Sequence, residues 1–549
     1  MLSFKLVPVL VASAVLSAAA IASAAASAVV PAAQVPGMRD LGPLGAATPV
    51  RIAVLVRYQH EAELEQLVAA QADPSSPMYH RFLSQAGFRS YFSATASEYA
   101  LTVSALRRAG FTIASEYDNR TLVDAIAPAF TVERTFATQL HRVTQPGGGV
   151  GYANVGPATI PATMPYVKGI AGLDNRHAWT PSIAHAAAAP PMVPGDAKLV
   201  GPDGGFSPEA LRRAYDFPVV HGFDGAGVKI ADFMDGAPIA SDVSTFLTHF
   251  GLKQTGPFTI VPVDGGCGKS CADNYSADFD VEWIAAMAPG ASIYEYQLPA
   301  LYLTETIDGF NKIISDDIVD VVHIPFGICE GLAPNYATIV TAVLKQGSAT
   351  GISFSTLSAG GAPSCGAGYP LVPETPADSS VVLGSGLSFL ATDASGEWLA
   401  ETASPASSGG VSIIEPVPAA QRAIKGVKKA GRNVPDLTVP QLINGNGASA
   451  YLLGKWDGDS FYNVVTSQTA GMIGEWVQMS GHRLGPIDLT LYHIFSANGY
   501  GSSASPLFRD IIFGCDGTYD NEPICARSGY DTLTGIGSPD AFNLGEALQ

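Results

Sequence analysis

Val464-Val465-Thr466-Ser467-Gln468-Thr469-Ala470-Gly471-Met472-Ile473-Gly474-Glu475-Trp476 joins a β-branched pair to an apolar helical stripe. Met472, Trp476 and Met479 stand at i, i+4 and i+7, with Ile473 beside them, the spacing of one helix face packed on a core. Val464-Val465 reads as strand, so the sequence predicts a strand-to-helix turn with Thr466 and Ser467 where the helix begins. Strand followed by helix is the repeating unit of an α/β sheet. A hydroxyl at such a turn lies among backbone N–H groups without intrahelical partners, which favour developing negative charge and suit a nucleophile. The commoner use of Ser or Thr there is a helix N-cap.

The same alternation extends N-terminally from this stretch. Apolar strands are expected at 228–233, 258–263, 292–297, 318–324 and 351–357, with helical stretches such as 242–250 between several of them. This pattern implies a doubly wound parallel sheet. Ser207-Pro208-Glu209 opens that region as a helix start, with Ser as cap and Pro at the first position. Upstream, a strand at 50–58, helices at 61–72 and 97–109, strands at 111–117 and 122–127 and a short helix at 130–140 describe a separate small α+β unit. Between the two units, residues 180–204 are rich in Ala and Pro and read as an exposed linker, a natural place for a cut.

The chain has 549 residues, room for more than one core. Its 30 basic and 49 acidic residues leave a net charge of −19, with only 14% of residues charged. This balance excludes a basic nucleic-acid-binding surface as the main function. Residues 1–28 begin Met-Leu-Ser-Phe-Lys, continue through an apolar run and end in Ala22-Ser23-Ala24 and Ala26-Ser27-Ala28, the form of a secretory signal. The expected location is therefore secreted or periplasmic, with no membrane span after cleavage. Six cysteines in an exported chain suggest disulfides. Neighbouring positions suggest Cys267–Cys271, Cys329–Cys365 and Cys515–Cys525, whereas zinc lacks a Cys-x-x-Cys or clustered His.

Several details of the N-terminal unit have a recognisable order. Asp73-Pro74-Ser75-Ser76-Pro77-Met78-Tyr79-His80-Arg81-Phe82-Leu83 follows the first helix, Gly110-Phe111 the second, and Gly172-Leu173-Asp174-Asn175 closes the unit. This resembles the activation propeptide of the sedolisin (kumamolisin-like) serine-carboxyl peptidases. The resemblance extends through Arg213–Pro218, Gly225–Ile230, Asp280-Val281-Glu282-Trp283, Ala288-Pro289-Gly290-Ala291, Ser408-Gly409-Gly410-Val411-Ser412, Val434-Pro435-Asp436 and Thr466-Ser467. It implies a signal peptide at 1–28, a ferredoxin-like α+β propeptide at 29–180, a processing linker at 181–204 and a subtilisin-like peptidase domain at 205–549. It also implies a peptide or unfolded-protein substrate, the protein's own propeptide as partner, and a monomer.

In that family the nucleophile is a serine, here Ser467, and an Asp, here Asp280, orients a Glu base four residues earlier on one helical face. A second Asp is protonated in acid and donates to the oxyanion, a low-pH form of triad logic. This sequence departs from the pattern at both carboxyl positions. Ser276 stands four residues before Asp280, and no Glu lies between Glu209 and Glu282. Asp278 and Glu282 are close in sequence but off the i, i+4 face. The oxyanion turn falls at Ala359-Gly360-Gly361, with Gly360 at the Asp position and no carboxylate between Glu330 and Glu374. Val465 replaces the usual Gly of the nucleophile motif, and Gly471 the usual Pro. His323 is a candidate replacement base that reads first as a core or loop histidine. Proteolysis is therefore expected to be strongly impaired or absent. The alternatives are an acid endopeptidase using a substitute carboxylate and a non-catalytic peptide- or partner-binding pseudopeptidase.

Near the C-terminus, Phe508-Arg509-Asp510-Ile511 is followed by Gly529-Tyr530-Asp531 and Thr534-Gly535-Ile536-Gly537. The resemblance implies one structural Ca²⁺ here, held by Asp510 and Asp531 with carbonyls of Ile511, Arg527 and Gly529, a hard-oxygen set suited to that ion.

Overall fold

A computed structural model describes residues 29–33, 38–144, 149–175, 197–268, 271, 273–358, 372–458, 463–516 and 523–549. The expected signal at 1–28, most of the expected linker, Gly360 and Cys365 lie outside the described residues.

The N-terminal unit forms strands β1 (Pro49–Val56), β2 (Thr112–Glu116), β3 (Leu122–Pro128) and β4 (Val167–Ala171), with helices α1 (Glu61–Ala72), α2 (Ala96–Ala109) and α3 (Ala129–Phe136). The sheet order is β2-β3-β1-β4 and every pair is antiparallel, the ferredoxin-like arrangement expected. Local chemistry sets the ends of α2. Thr95 and Glu98 form a reciprocal capping box, and Gly110 stops the helix in the left-handed conformation. The helix expected at 130–140 ends at Phe136, because Leu140 already pairs as strand with Asn154. Val54, Val103, Leu106, Phe111 and Phe136 belong to this unit's own core.

The C-terminal unit is the expected α/β domain. Its strands are β5 (Lys229–Met234), β6 (Phe258–Pro262), β7 (Ser292–Gln297), β8 (Val321–Ile324), β9 (Ser353–Leu357), β10 (Val382–Thr392), β11 (Trp398–Ala403) and β12 (Leu437–Ile443). They join in the order β6-β7-β5-β8-β9-β10-β11, with β12 also on β10; all pairs are parallel except β10 with β11. Helices α4 (Ala240–His249), α5 (Asn274–Met287), α6 (Leu303–Asp316), α7 (Pro334–Ala349), α8 (Asn463–Ser480) and α9 (Ile487–Asn498) alternate with the strands. Among the described residues no helix is long and apolar enough to cross a membrane.

Two expectations are corrected. Val464 and Val465 are the second and third residues of α8, not strand. Both are fully buried, and packing on the sheet and on α5 overrides their β propensity. The last part of the expected linker is also folded. Ala197–Leu199 is a 3₁₀ turn, Leu199 is buried, and Ser207 caps the next helix while bonding the Lys198 and Leu199 carbonyls. The described structure forms the Cys267–Cys271 and Cys515–Cys525 bonds, and Cys329 is also disulfide-bonded.

Candidate active site

Asp273 caps α5, accepting from the Ser276 N–H at 2.9 Å and from the Ser276 hydroxyl at 2.7 Å. The Ser276 side chain, at the position where the resemblance expects a base, is thus tied back to the helix cap. One turn on, Asp280 is fully buried and points at α8. Its Oδ1 accepts directly from Ser467 Oγ at 3.0 Å, and Asn463 Nδ2 approaches Oδ2 at 3.4 Å. Ser467 is the fifth residue of α8, and its hydroxyl also bonds the Asn463 carbonyl at 2.9 Å, one turn earlier. It is therefore neither the N-cap nor the first residue of the helix. Burial, and then the charge of Asp232, hold the Asp280 carboxyl well above the usual carboxylate range, against the pull of the Ser467 and Asn463 hydrogen bonds.

Close packing of α5 on α8 makes the direct contact possible. A Cβ at Gly471 would lie 2.4 Å from the Met287 Cβ, so only glycine lets the helices approach this far. Asp278 and Glu282 point elsewhere. Asp278 accepts from the Ile239 N–H and Glu282 from the Tyr451 N–H. Burial raises the Asp278 carboxyl to about 7. Asp278 is thus removed as a substitute base for Ser467.

Below the two helices lies a polar row that the sequence reading did not find. Asp232 on β5 pairs in register with Glu295 on β7, and the pairing of Ala231 with Val322 sets Asp232 beside His323 on β8. His323 pairs in turn with Ser355 on β9. Glu295, Asp232, His323 and Ser355 are all fully buried. His323 Nδ1 is 2.7 Å from Asp232 Oδ1, and Nε2 is 2.7 Å from the Thr466 hydroxyl. His323 thus sits between Asp232 and Thr466, the residue next to Ser467. Burial, then the neighbouring Asp232 charge, pushes the Glu295 carboxyl well up. The available signal was a charged residue inside each of two strands expected to be apolar on both faces.

At the C-terminal site, Asp510 accepts from the Gly529 N–H at 3.0 Å and the Ser528 hydroxyl at 3.1 Å. Asp531 accepts from the N–H groups of Arg527, Leu533 and Thr534 at 2.8–2.9 Å. Both carboxylates thus meet on the 527–531 segment. Among the described residues the carbonyls of Ile511, Arg527 and Gly529 accept no backbone hydrogen bond. The donor types fit Ca²⁺, and carboxylates keep further lone pairs beyond those in use.

Comparison with known proteins agrees with this architecture. Residues 36–176 match the family described as "Pro-kumamolisin, activation domain". The chain is 27% identical over 533 residues to sedolisin of Pseudomonas sp. (strain 101), covering 91% of this chain and 87% of that protein. It is 25% identical over 546 residues to kumamolisin of Bacillus sp. (strain MN-32), covering 94% of each. The solved structure of Pseudomonas sedolisin, a serine-carboxyl proteinase in complex with pseudo-iodotyrostatin, superimposes with a TM-score of 0.54 at 21% identity. That match covers 63% of this chain and 98% of that one, and it shows the fold. The chain is thus homologous to sedolisin and kumamolisin over most of its length, and its N-terminal unit matches the pro-kumamolisin activation domain.

Proposed function

We propose that this sedolisin-type protein is an exported, zymogen-form peptidase homologue whose acid peptidase chemistry is strongly impaired or lost. The observation that carries the reading is the hydroxyl of Ser276, bound to Asp273, at the position where the family places its glutamate base. A serine hydroxyl is a far poorer proton acceptor than a carboxylate. Gly360 brings no acidic O–H to the oxyanion. Removing a triad base costs about a million-fold in the subtilisin example, so the loss is large even where other groups still help. The propeptide at 29–180, a processing region at 181–204 and a peptidase domain at 205–549 belong to the same reading, as do a peptide or unfolded-protein ligand and a monomeric state. The −19 charge supports a soluble, non-associating chain.

A second reading draws on one distance. Asp280 accepts from Ser467 directly at 3.0 Å, so the substitute carboxylate of an active form would be Asp280 itself.

The experiment is incubation of the purified precursor from pH 3 to 7, following cleavage within 181–204 and turnover of a denatured protein. The impaired reading expects neither. Acid self-processing that Ser467→Ala and Asp280→Asn both abolish would replace it with the second reading. If Ser467→Ala changes neither processing nor binding of peptides to the mature domain, a partner-binding pseudopeptidase remains.

A further inference from the structure

We propose that Asp232, His323 and Asp280 bind a divalent first-row transition-metal ion, of the Mn²⁺, Fe²⁺ or Zn²⁺ class, between strand β5 and helix α8. The site lies in the sheet core, away from the Asp510 and Asp531 loop, and the inference stands whether or not the protein cleaves peptides.

The first ground is the donor set. One ligand atom from each of Asp232, His323 and Asp280 lies within 4.8 Å of the other two, and all three residues are fully buried. Bonds of about 2.1 Å place donors roughly 3.0 Å apart when adjacent and about 4.2 Å when opposite, so a small inward movement closes the set. His323 Nδ1 and Asp232 Oδ1, at 2.7 Å, are already close to an adjacent pair.

The second ground is the shell behind the histidine. The Thr466 hydroxyl lies 2.9 Å from the Asn463 carbonyl as well as 2.7 Å from His323 Nε2. With its proton given to that carbonyl, Thr466 accepts from Nε2–H. This tautomer turns the Nδ1 lone pair toward Asp232, the arrangement by which a metal-bound imidazole is oriented from behind. In this tautomer the two lone pairs facing each other at 2.7 Å call for a cation beside them, where the other tautomer would place a proton.

The third ground is what the cluster lacks. Asp232 Oδ2 and both oxygens of Glu295 are buried with no partner beyond the contact of these two carboxyls with each other. Among the described residues no Lys or Arg forms an ion pair with Asp232, Asp280 or Glu295. Buried carboxylates are ordinarily paired, protonated or bound to metal. An imidazole nitrogen beside carboxylate oxygens selects a transition ion over Ca²⁺ or Mg²⁺.

The test uses the purified full chain, stripped with chelator and dialysed against Mn²⁺, Zn²⁺ or Co²⁺. An Asp510→Asn, Asp531→Asn background keeps the C-terminal loop out of the count. The expected result is one equivalent retained, lost in Asp232→Asn and His323→Gln, and bound about 10–100-fold more weakly in Thr466→Val, the loss typical of a residue behind a ligand. The Co²⁺ form is expected to show visible bands that change in His323→Gln. Should the core variants fail to fold, ¹⁵N chemical shifts of the His323 ring in wild-type protein read the same bond. Zn²⁺ then shifts Nδ1 and leaves the proton on Nε2. No bound ion above the variant background, or an Nδ1–H still bonded to Asp232 in the presence of Zn²⁺, overturns the proposal and leaves a proton relay from Asp232 through His323 to Thr466.

Discussion

Ser467 meets Asp280 because a glycine four residues along α8 removes the side chain that would hold the two helices apart. The contact in the way is the Met287 Cβ, an atom next to the backbone that cannot swing aside. Alanine would gain about 1 kcal/mol of intrinsic helix preference over glycine, but only by forcing the helices apart. Gly471→Ala is therefore expected to destabilise the C-terminal domain by about 1–3 kcal/mol, the usual cost of overpacking a tight core. It should also lengthen the Ser467–Asp280 hydrogen bond. Urea unfolding and the rate of Ser467 labelling by a fluorophosphonate read the two effects separately. An unchanged or raised midpoint would show that the helix gap is adjustable. The sequence named these residues one at a time, Ser467 from its motif, Asp280 from its spacing and Ser276 from its place four residues earlier. Their pairing was not readable, because a direct Ser467–Asp280 bond depends on the interhelical distance, which no local pattern encodes.

The sheet of the N-terminal unit docks on α6 and α7 through apolar groups, with Ala53, Leu55, Leu122 and Ala171 joining the C-terminal core, and through a polar cluster beside them. Arg51 on β1 reaches Asp264 and Asp308 of the C-terminal domain, each at 2.6 Å, and Asp124 of its own unit at 3.5 Å. Tyr117 donates to Asp124 at 2.6 Å and lies 3.4 Å from Asp308. One guanidinium cannot neutralise three carboxylates. Burial raises both Asp124 and Asp308; for Asp308 the Asp124 charge adds to this, and Arg51 opposes it in both. The folded-state pKa values thus lie above the ordinary value of 3.8. A carboxyl raised in this way contributes stability that is full below the unfolded pKa and is lost as pH rises through the folded one. This contact is therefore expected to hold the propeptide more firmly in acid and to weaken toward neutrality. Asp308→Asn, which stays neutral throughout, should flatten the fall in urea midpoint between about pH 4 and pH 8. Parallel profiles for the wild type and variant would rule this out.

At the scale of the molecule, the N-terminal unit has a core of its own and also adds Leu55, Leu64, Val68 and Phe88 to the C-terminal one, which closes on its last helix, Ala541–Ala547, through Trp476 donating to the Ala541 carbonyl at 2.7 Å. The Asp510 and Asp531 loop is tied into this end of the domain, since Asp531 bonds Thr534 and the following residues pair with Asp436. We expect one Ca²⁺ there, joining loops that are otherwise held by N–H contacts to the two carboxylates. With the ion about a thousand-fold above its dissociation constant, linkage adds about 4 kcal/mol. Added Ca²⁺ should raise the melting temperature of the wild type and leave Asp510→Asn, Asp531→Asn unmoved. Equal melting of both proteins with and without Ca²⁺ would exclude the site.

The sequence alone determined the architecture, because strand and helix periodicities are local and survive in any tertiary setting. They show in the helix at Glu61–Ala72 and the strand at Ser292–Gln297, whose bounds agree residue for residue with expectation. It also carries the ground for the proposed loss of chemistry, since Ser276 and Gly360 are facts of the sequence that no fold can reverse. Tertiary structure decided the rest. Val464 and Val465 joined a helix because a fully buried site outweighs a propensity difference of less than 1 kcal/mol. Glu295, Asp232 and His323 became one cluster because parallel pairing brings residues about 30 to 90 positions apart to strands roughly 5 Å apart. Register across a sheet is a property of the assembled domain, and the polar centre it creates beneath Ser467 exists only once the strands have paired.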